Sequence, residues 1–308
     1  MNRLCGSGLQ AIVSAAQAIW LGDADAAVAG GAESMSRGQY WLPGLRWGQR
    51  MRDGVTIDAM VGALTDPFDD CHMGVTAENV ATEFGISRED QDALAAESHR
   101  RAAAAAQAGY FADQITAVQA PARKGTTEVA ADEHIRPETT AEDLARLRPA
   151  FADHGTVTAG NAAGVNDAAA AVVLASSAYA SSHGLAPLGR LVAYSHAGVE
   201  PRIMGIGPVP AVRKVLDRAG LKVDEIDVFE VNEAFAAQAL AVIRELGLPP
   251  ERTNPNGSGI SLGHPVGATG AILVVKALYE LRRTAGRYAL ITMCIGGGQG
   301  IAAIFERL

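Results

Sequence analysis

Four side chains stand in small-residue settings that suit chemistry. Cys5 heads the run Cys5-Gly6-Ser7-Gly8-Leu9-Gln10, and the apolar residues that follow, Ile12, Val13, Ala16, Ile19 and Trp20, are spaced for a helix. The pattern predicts a loop that delivers the thiol to a helix N-terminus, where unpaired N–H groups and the positive end of the dipole favour the nucleophilic thiolate. The flanking glycines let a substrate carbonyl come close to the backbone. His264 lies in a second glycine-rich loop at a helix start, Gly263-His264-Pro265-Val266-Gly267-Ala268-Thr269-Gly270. Cys294 closes a strand-like run and opens Ile295-Gly296-Gly297-Gly298-Gln299-Gly300, a turn with bare backbone N–H groups. Asn232, in Val231-Asn232-Glu233-Ala234-Phe235-Ala236, stands where a strand hands over to a helix. Each has a plainer alternative: Cys5 and Cys294 as core thiols, His264 as a satisfied loop histidine, Asn232 as an ordinary N-cap.

The elements that must position these groups form a repeat. The stretch from Cys5 to Gly31 runs glycine loop, helix, turn, strand and Gly-Gly exit, and the stretch from Pro265 to Gly298 runs through the same order. Two copies of one α/β unit are implied, with the Cys5 and His264 loops as counterparts. The late copy is preceded by a strand at 188–193, a helix at 209–219, a strand at 226–231 and a helix at 233–246. The early copy has only Met1 to Leu4 before it, so roughly one βαβα block lacks a counterpart there. Between the halves the texture is mainly helical and loop-rich. Ser87 caps a helix that runs to Ala108 and stops at Gly109. Residues 118–149 are polar and suit a surface wrap, and 168–175 return to the core.

With 308 residues and 48% apolar content, the chain can bury a full core. A formal charge of −8 argues against nucleic acid or an anionic membrane as partner, so an anionic ligand needs a local basic cluster. The cysteines, at positions 5, 71 and 294, lack CxxC spacing and a matching His pair, which points to neither a zinc site nor a disulfide framework. No metal is expected, and a reducing cytoplasm fits. The apolar stretch after Arg3 is broken by Gly6, Gly8, Gln10 and Gln17, so it reads as helix, turn and strand rather than an export signal.

Taken together, the motifs resemble one family. NRLCGSGLQAI, HMGVTAENVA, TAGN, NEAFAAQ, GHPVGATG and CIGGGQG stand in the order found in thiolases, over nearly the whole chain. The resemblance is strongest to bacterial short-chain β-ketothiolases of broad specificity that feed polyhydroxyalkanoate synthesis. It implies a duplicated, five-layered α-β-α-β-α core with an inserted loop domain. It also implies reversible thiolysis of short β-ketoacyl-CoA, with Claisen condensation as the reverse. Cys5 would carry the acyl group, His264 would take its proton, and Cys294 would serve as acid and base at the substrate α-carbon. His264 with an Asn232-held water would form one oxyanion hole, and the N–H groups of Cys5 and Gly296 the other. Coenzyme A would be a substrate rather than a resident cofactor. Its path would be lined by Leu64, His72, Met73, Phe151, Ala159, Ala163, Met204, Ala234 and Phe235, with Arg136 near the phosphates. For Leu64, Phe151 and Met204 a packing role is the alternative, and Cys71 reads as structural. Ala163 replaces a serine that the family usually has there. A ketoacyl synthase is disfavoured, since those enzymes have histidines where Cys294 stands.

The resulting division is a partial N-terminal core at 1–36 and 155–184, an inserted domain at 37–154 for coenzyme A and oligomer contacts, and a C-terminal core at 185–308. The family begins with a strand and helix block ahead of the nucleophile loop, so the N-terminal half is expected to be incomplete. Either the start lies upstream of Met1, or the chain is an impaired fragment that binds coenzyme A or pairs with complete subunits. A homo-oligomer, dimer or tetramer, is expected from the resemblance.

Overall fold

A computed structural model describes all residues 1–308. The chain opens with a 3-10 turn at Leu4–Gly6, then α1 (Ser7–Trp20) and β1 (Ala26–Ser34). The intervening segment holds β2 (Tyr40–Trp41), β3 (Ile57–Asp58), α2 (Ala59–Ala63), α3 (Met73–Glu83), α4 (Arg88–Gln107), β4 (Val118–Pro121), β5 (Thr126–Val129) and α5 (Ala141–Ala145). The chain returns through β6 (Asp167–Ala175), α6 (Ser177–Ser182), β7 (Gly189–Gly198), α7 (Pro208–Ala219), β8 (Val228–Val231) and α8 (Ala236–Leu246). It ends with α9 (Gly259–Leu262), α10 (Thr269–Thr284), β9 (Tyr288–Ile295) and β10 (Gln299–Arg307).

Two sheets enclose a helix pair. β1 and β6 pair antiparallel, from Ala26 opposite Ala175 to Ser34 opposite Asp167. The second sheet has the order β7-β10-β9-β8, with β8 parallel to β9 and the other neighbours antiparallel. α1 and α10 pack against each other between the sheets, while α7 covers the far side of the larger sheet beside α8. Strand periodicity explains the double burial. Ile301, Ala303 and Phe305 of β10 face the core shared with Leu9, Ile12 and Leu273, whereas Ala302 and Ile304 face Val212, Val215 and Phe229.

The repeat is therefore structural: α1, β1 and β6 answer to α10, β9 and β10. Their sheets differ in size, two strands against four. On the smaller sheet Val28 and Val173, directly opposite in register, are 75% and 71% exposed. That face carries no helix layer comparable to α7.

Several local expectations shift. The helix after Asn232 begins at Ala236 rather than Glu233, β7 runs on to Gly198, and β8 starts at Val228. The polar stretch 118–149 contains the β4–β5 hairpin, whose β5 residues are all exposed and so carry no alternating pattern to read. The Ser87 cap is as expected: its hydroxyl accepts from Asp90 N at 3.1 Å, and Gly109 adopts φ +75 past the helix end.

Candidate active site

Cys5 stands in the tight turn ahead of α1, where Leu4 adopts φ +47. Ser7 holds that turn from the first residue of the helix. Its Oγ accepts from Arg3 N and donates to Leu4 O, both at 2.8 Å, while Asn2 Oδ1 accepts from Leu4 N at 2.9 Å. A Cβ on Gly270 would lie 2.3 Å from Leu9 N, and one on Gly8 would lie 2.8 Å from Ala271 N. Glycine at both positions lets α1 and α10 touch backbone to backbone at their first turns. That contact sets the Cys5 and His264 loops side by side.

Burial pushes the Cys5 thiol up to about 11, against backbone N–H groups of Cys5 and Gly296 that favour the thiolate and with Glu33 adding to the rise. The helix N-terminus alone suggested a resting thiolate; desolvation outweighs it here. Cys294 is fully buried at the end of β9. Its thiol is pushed well above the ordinary range, first by burial and then by the neighbouring Cys5 sulfur. A charge on either sulfur is thus felt by the other.

His264 is buried, and burial pulls it down to about 4, which leaves a neutral imidazole at neutral pH. Its Nδ1 lies 2.6 Å from Thr269 Oγ1, whose own proton is donated to Pro265 O at 2.9 Å. With that hydroxyl proton spent, Thr269 accepts from Nδ1–H, and Nε2 is left with the lone pair. Asn232 Nδ2 stands 3.3 Å from that Nε2. Asn232 is not a helix cap: it extends the β8 pairing through N–H to Thr292 O at 3.0 Å, and Phe235 takes the cap position of α8. Its Oδ1 is buried without a hydrogen-bond partner.

An apolar wall adjoins Cys294, formed by Met73, Ala77, Val157, Ala162, Met204, Ala234 and Phe235, with Leu64 and Phe151 packed against it. His72 caps α3, its Nδ1 accepting from Gly74 N at 3.0 Å, and its ring stacks on Phe151 at 4.8 Å. Gly296 sits against Met73 and Leu4, each 3.1 Å from where its Cβ would be. Ala163 is partly exposed, and its N–H donates to Ala234 O at 3.0 Å. Ala159 is exposed in the turn before Asn161. Arg136 stands apart from this wall: it is exposed, and its N–H donates to His99 Nδ1 on α4 at 3.2 Å. Met204 is buried, and Leu64 and Phe151 are half-buried, so all three also serve packing. A cavity of about 1130 Å³ between β6 and α10 includes none of Cys5, Asn232, His264 and Cys294.

Sequence reasoning passed over Thr269, which selects the His264 tautomer from five residues away and could have been read from the loop. It also passed over Glu33, whose Oε2 accepts from Gly267 N at 2.9 Å; no local signal links residues so distant in sequence.

A neutral imidazole beside an amide, two coupled thiols and converging backbone donors are the parts of an acyl-transfer site. Comparison with known proteins agrees. Residues 1–178 match the family description "Thiolase, N-terminal domain" and residues 185–307 "Thiolase, C-terminal domain". "Beta-ketothiolase BktB" of Cupriavidus necator is 65% identical over 309 residues, covering 100% of this chain and 78% of the relative. The crystal structure of the Bacillus anthracis acetyl-CoA acetyltransferase superposes with TM-score 0.98 at 48% identity, over 100% of this chain and 78% of that one. The human mitochondrial 3-ketoacyl-CoA thiolase in complex with CoA superposes with TM-score 0.97 at 46% identity, over 100% and 77%. With the two domain descriptions matched over residues 1–178 and 185–307 and such identity over the full chain, the chain belongs to the thiolase family.

Proposed function

We propose that the chain is an acetyl-CoA C-acyltransferase that cleaves short β-ketoacyl-CoA with coenzyme A and runs the reverse Claisen condensation. The observation that carries the reading is the Cys5 loop packed against the loop of a neutral, Thr269-oriented His264, with Cys294 near enough to Cys5 to feel its charge. His264 Nε2 takes the Cys5 proton, and the thiolate bonds to the keto carbon. The bond from that carbon to the α-carbon breaks, and the α-carbon receives the Cys294 proton, releasing acetyl-CoA and leaving the shortened acyl group on Cys5. The Cys294 thiolate then takes the proton of the incoming coenzyme A thiol, whose sulfur takes the acyl group from Cys5 as the shortened acyl-CoA, and the Cys5 thiolate recovers its proton from His264. Splitting one difficult transfer into two is the advantage of the covalent step. Oxyanion charge falls on His264 with a water held by Asn232 in one half-reaction, and on the N–H groups of Cys5 and Gly296 in the other. Loss of one such donor typically costs about 3 to 4 kcal/mol of barrier.

Coenzyme A runs along the Met73, Phe151, Met204 and Phe235 wall past Leu64, His72, Ala159, Ala163 and Ala234, with Arg136 toward its phosphates. The division into 1–36 with 155–184, 37–154 and 185–308 belongs to the same reading. So does a homo-oligomer: Tyr40, Trp41, Leu45 and Trp47 of the inserted segment are exposed, an apolar cluster suited to a second subunit. No helix is long and apolar enough to cross a membrane. A cytoplasmic location fits the three free cysteines. Thiolysis of acetoacetyl-CoA and of its five-carbon homologue tests the assignment. Both are expected to turn over; turnover of neither would refute it.

A further inference from the structure

The two backbone N–H groups that favour the Cys5 thiolate come from opposite halves of the molecule. Cys5 N–H belongs to the turn before α1, and Gly296 N–H to the turn between β9 and β10. Helix packing alone does not fix two turns against each other to the few tenths of an ångström that donor convergence demands. A polar chain runs between them. Arg3, two residues before Cys5, donates from one guanidinium nitrogen to Gln299 Oε1 at 3.0 Å, and Gln299 Nε2 donates to Gly296 O at 3.3 Å. The other terminal nitrogen donates to Gln10 Oε1 at 2.6 Å. That same oxygen lies 2.7 Å from His196 Nε2 on β7, so the imidazole carries its proton there. The Arg3 main chain meanwhile holds the strained turn, through its N–H to Ser7 Oγ. A planar, two-sided donor is what such a junction needs, and a lysine ammonium would not reproduce the fork.

We infer that Arg3 is a positioning residue: with Gln299 it ties the Cys5 turn to the Gly296 turn, and Gln10 and His196 anchor it to β7. Arg3 touches no reacting atom; it acts by keeping both N–H donors on one point. The inference rests on the thiolase reading only for its consequence in turnover, because the tether from Arg3 through Gln299 to Gly296 is a property of the resting protein.

The test compares Arg3→Met, Gln299→Ala and the double variant, with Arg218→Met as a control that removes a guanidinium donating to Tyr194 O outside this chain. Alkylation of Cys5 by iodoacetamide, read by peptide mass, reports the thiolate directly. Arg3→Met is expected to slow it about fivefold at fixed pH, the equivalent of one lost backbone hydrogen bond. Its pH midpoint should move upward. Gln299→Ala should do the same, and the double variant should be no slower than either, since both cut one tether. The control should match the parent chain, and all five proteins should melt alike. Parental alkylation in Arg3→Met, or multiplying effects in the double variant, overturns the inference. Where thiolysis is present, kcat should fall with KM unchanged. Absence of thiolysis from the parent chain would refute the thiolase reading and leave the alkylation result to decide this one.

Discussion

At Cys5, burial and hydrogen bonding oppose each other, and burial wins in the resting protein. With the thiol near 11 and His264 near 4, the pair is neutral rather than ionic at neutral pH. Iodoacetamide alkylation of Cys5 should therefore rise about tenfold per pH unit from about pH 7 to pH 9, since only the thiolate reacts. A plateau below pH 8 would mean a pre-formed thiolate–imidazolium pair. Ala163 offers a second residue-scale prediction. Its backbone is fixed by the hydrogen bond to Ala234 O, and a serine hydroxyl there would give the pantetheine arm a partner. Ala163→Ser should tighten coenzyme A by about fivefold, the worth of one hydrogen bond near 1 kcal/mol. Unchanged affinity by calorimetry would remove Ala163 from the path.

The position of α10 decides where the His264 loop sits, and a buried ion pair pins that helix to β8. Lys276 Nζ donates to Glu230 Oε2 at 2.9 Å, and both side chains are almost fully buried. Burial holds the Glu230 carboxyl up at about 7 despite the pull of Lys276. Lys276→Met should cost about 3 to 5 kcal/mol by leaving a buried acid unpaired, whereas adding Glu230→Gln should recover most of the loss. Thermal melts of the two variants check this. A carboxyl raised on folding binds its proton more tightly in the folded state. Its contribution is thus full below the ordinary carboxylate range and lost as pH rises through about 7. In Glu230→Gln, the fall in melting temperature between about pH 5 and pH 8 should be shallower than in the parent chain. The elements themselves were largely legible, because amphipathic helices such as α7 and doubly buried strands such as β9 write their period and caps into local sequence. The β4–β5 hairpin and the late start of α8 were not: one has no buried face, and the other waits on Phe235 entering the Cys294 wall.

Across the whole molecule, the site exists only where the two halves meet. Cys5 arrives on the turn before α1, His264 on the loop before α10 and Cys294 on β9, and the glycines at 8 and 270 allow the approach. Sequence motifs named those three side chains because glycine-rich loops at helix starts and strand ends are local signals. The contacts that place them are not local: Glu33 with Gly267 N and Arg3 with Gln299 join residues hundreds of positions apart. The small sheet, bare at Val28 and Val173, is likewise a property of assembled strands. The account stands on a division of labour between two neighbouring sulfurs, and the most direct measurement separates them. The parent chain, Cys294→Ala and Cys5→Ala are incubated with acetyl-CoA, quenched and digested for mass spectrometry. Acetyl on the Cys5 peptide of the parent and of Cys294→Ala, with thiolysis of acetoacetyl-CoA lost from the latter, is the predicted result. Acetyl on Cys294 in the Cys5→Ala protein at the parent's rate, or thiolysis undiminished in Cys294→Ala, would contradict it.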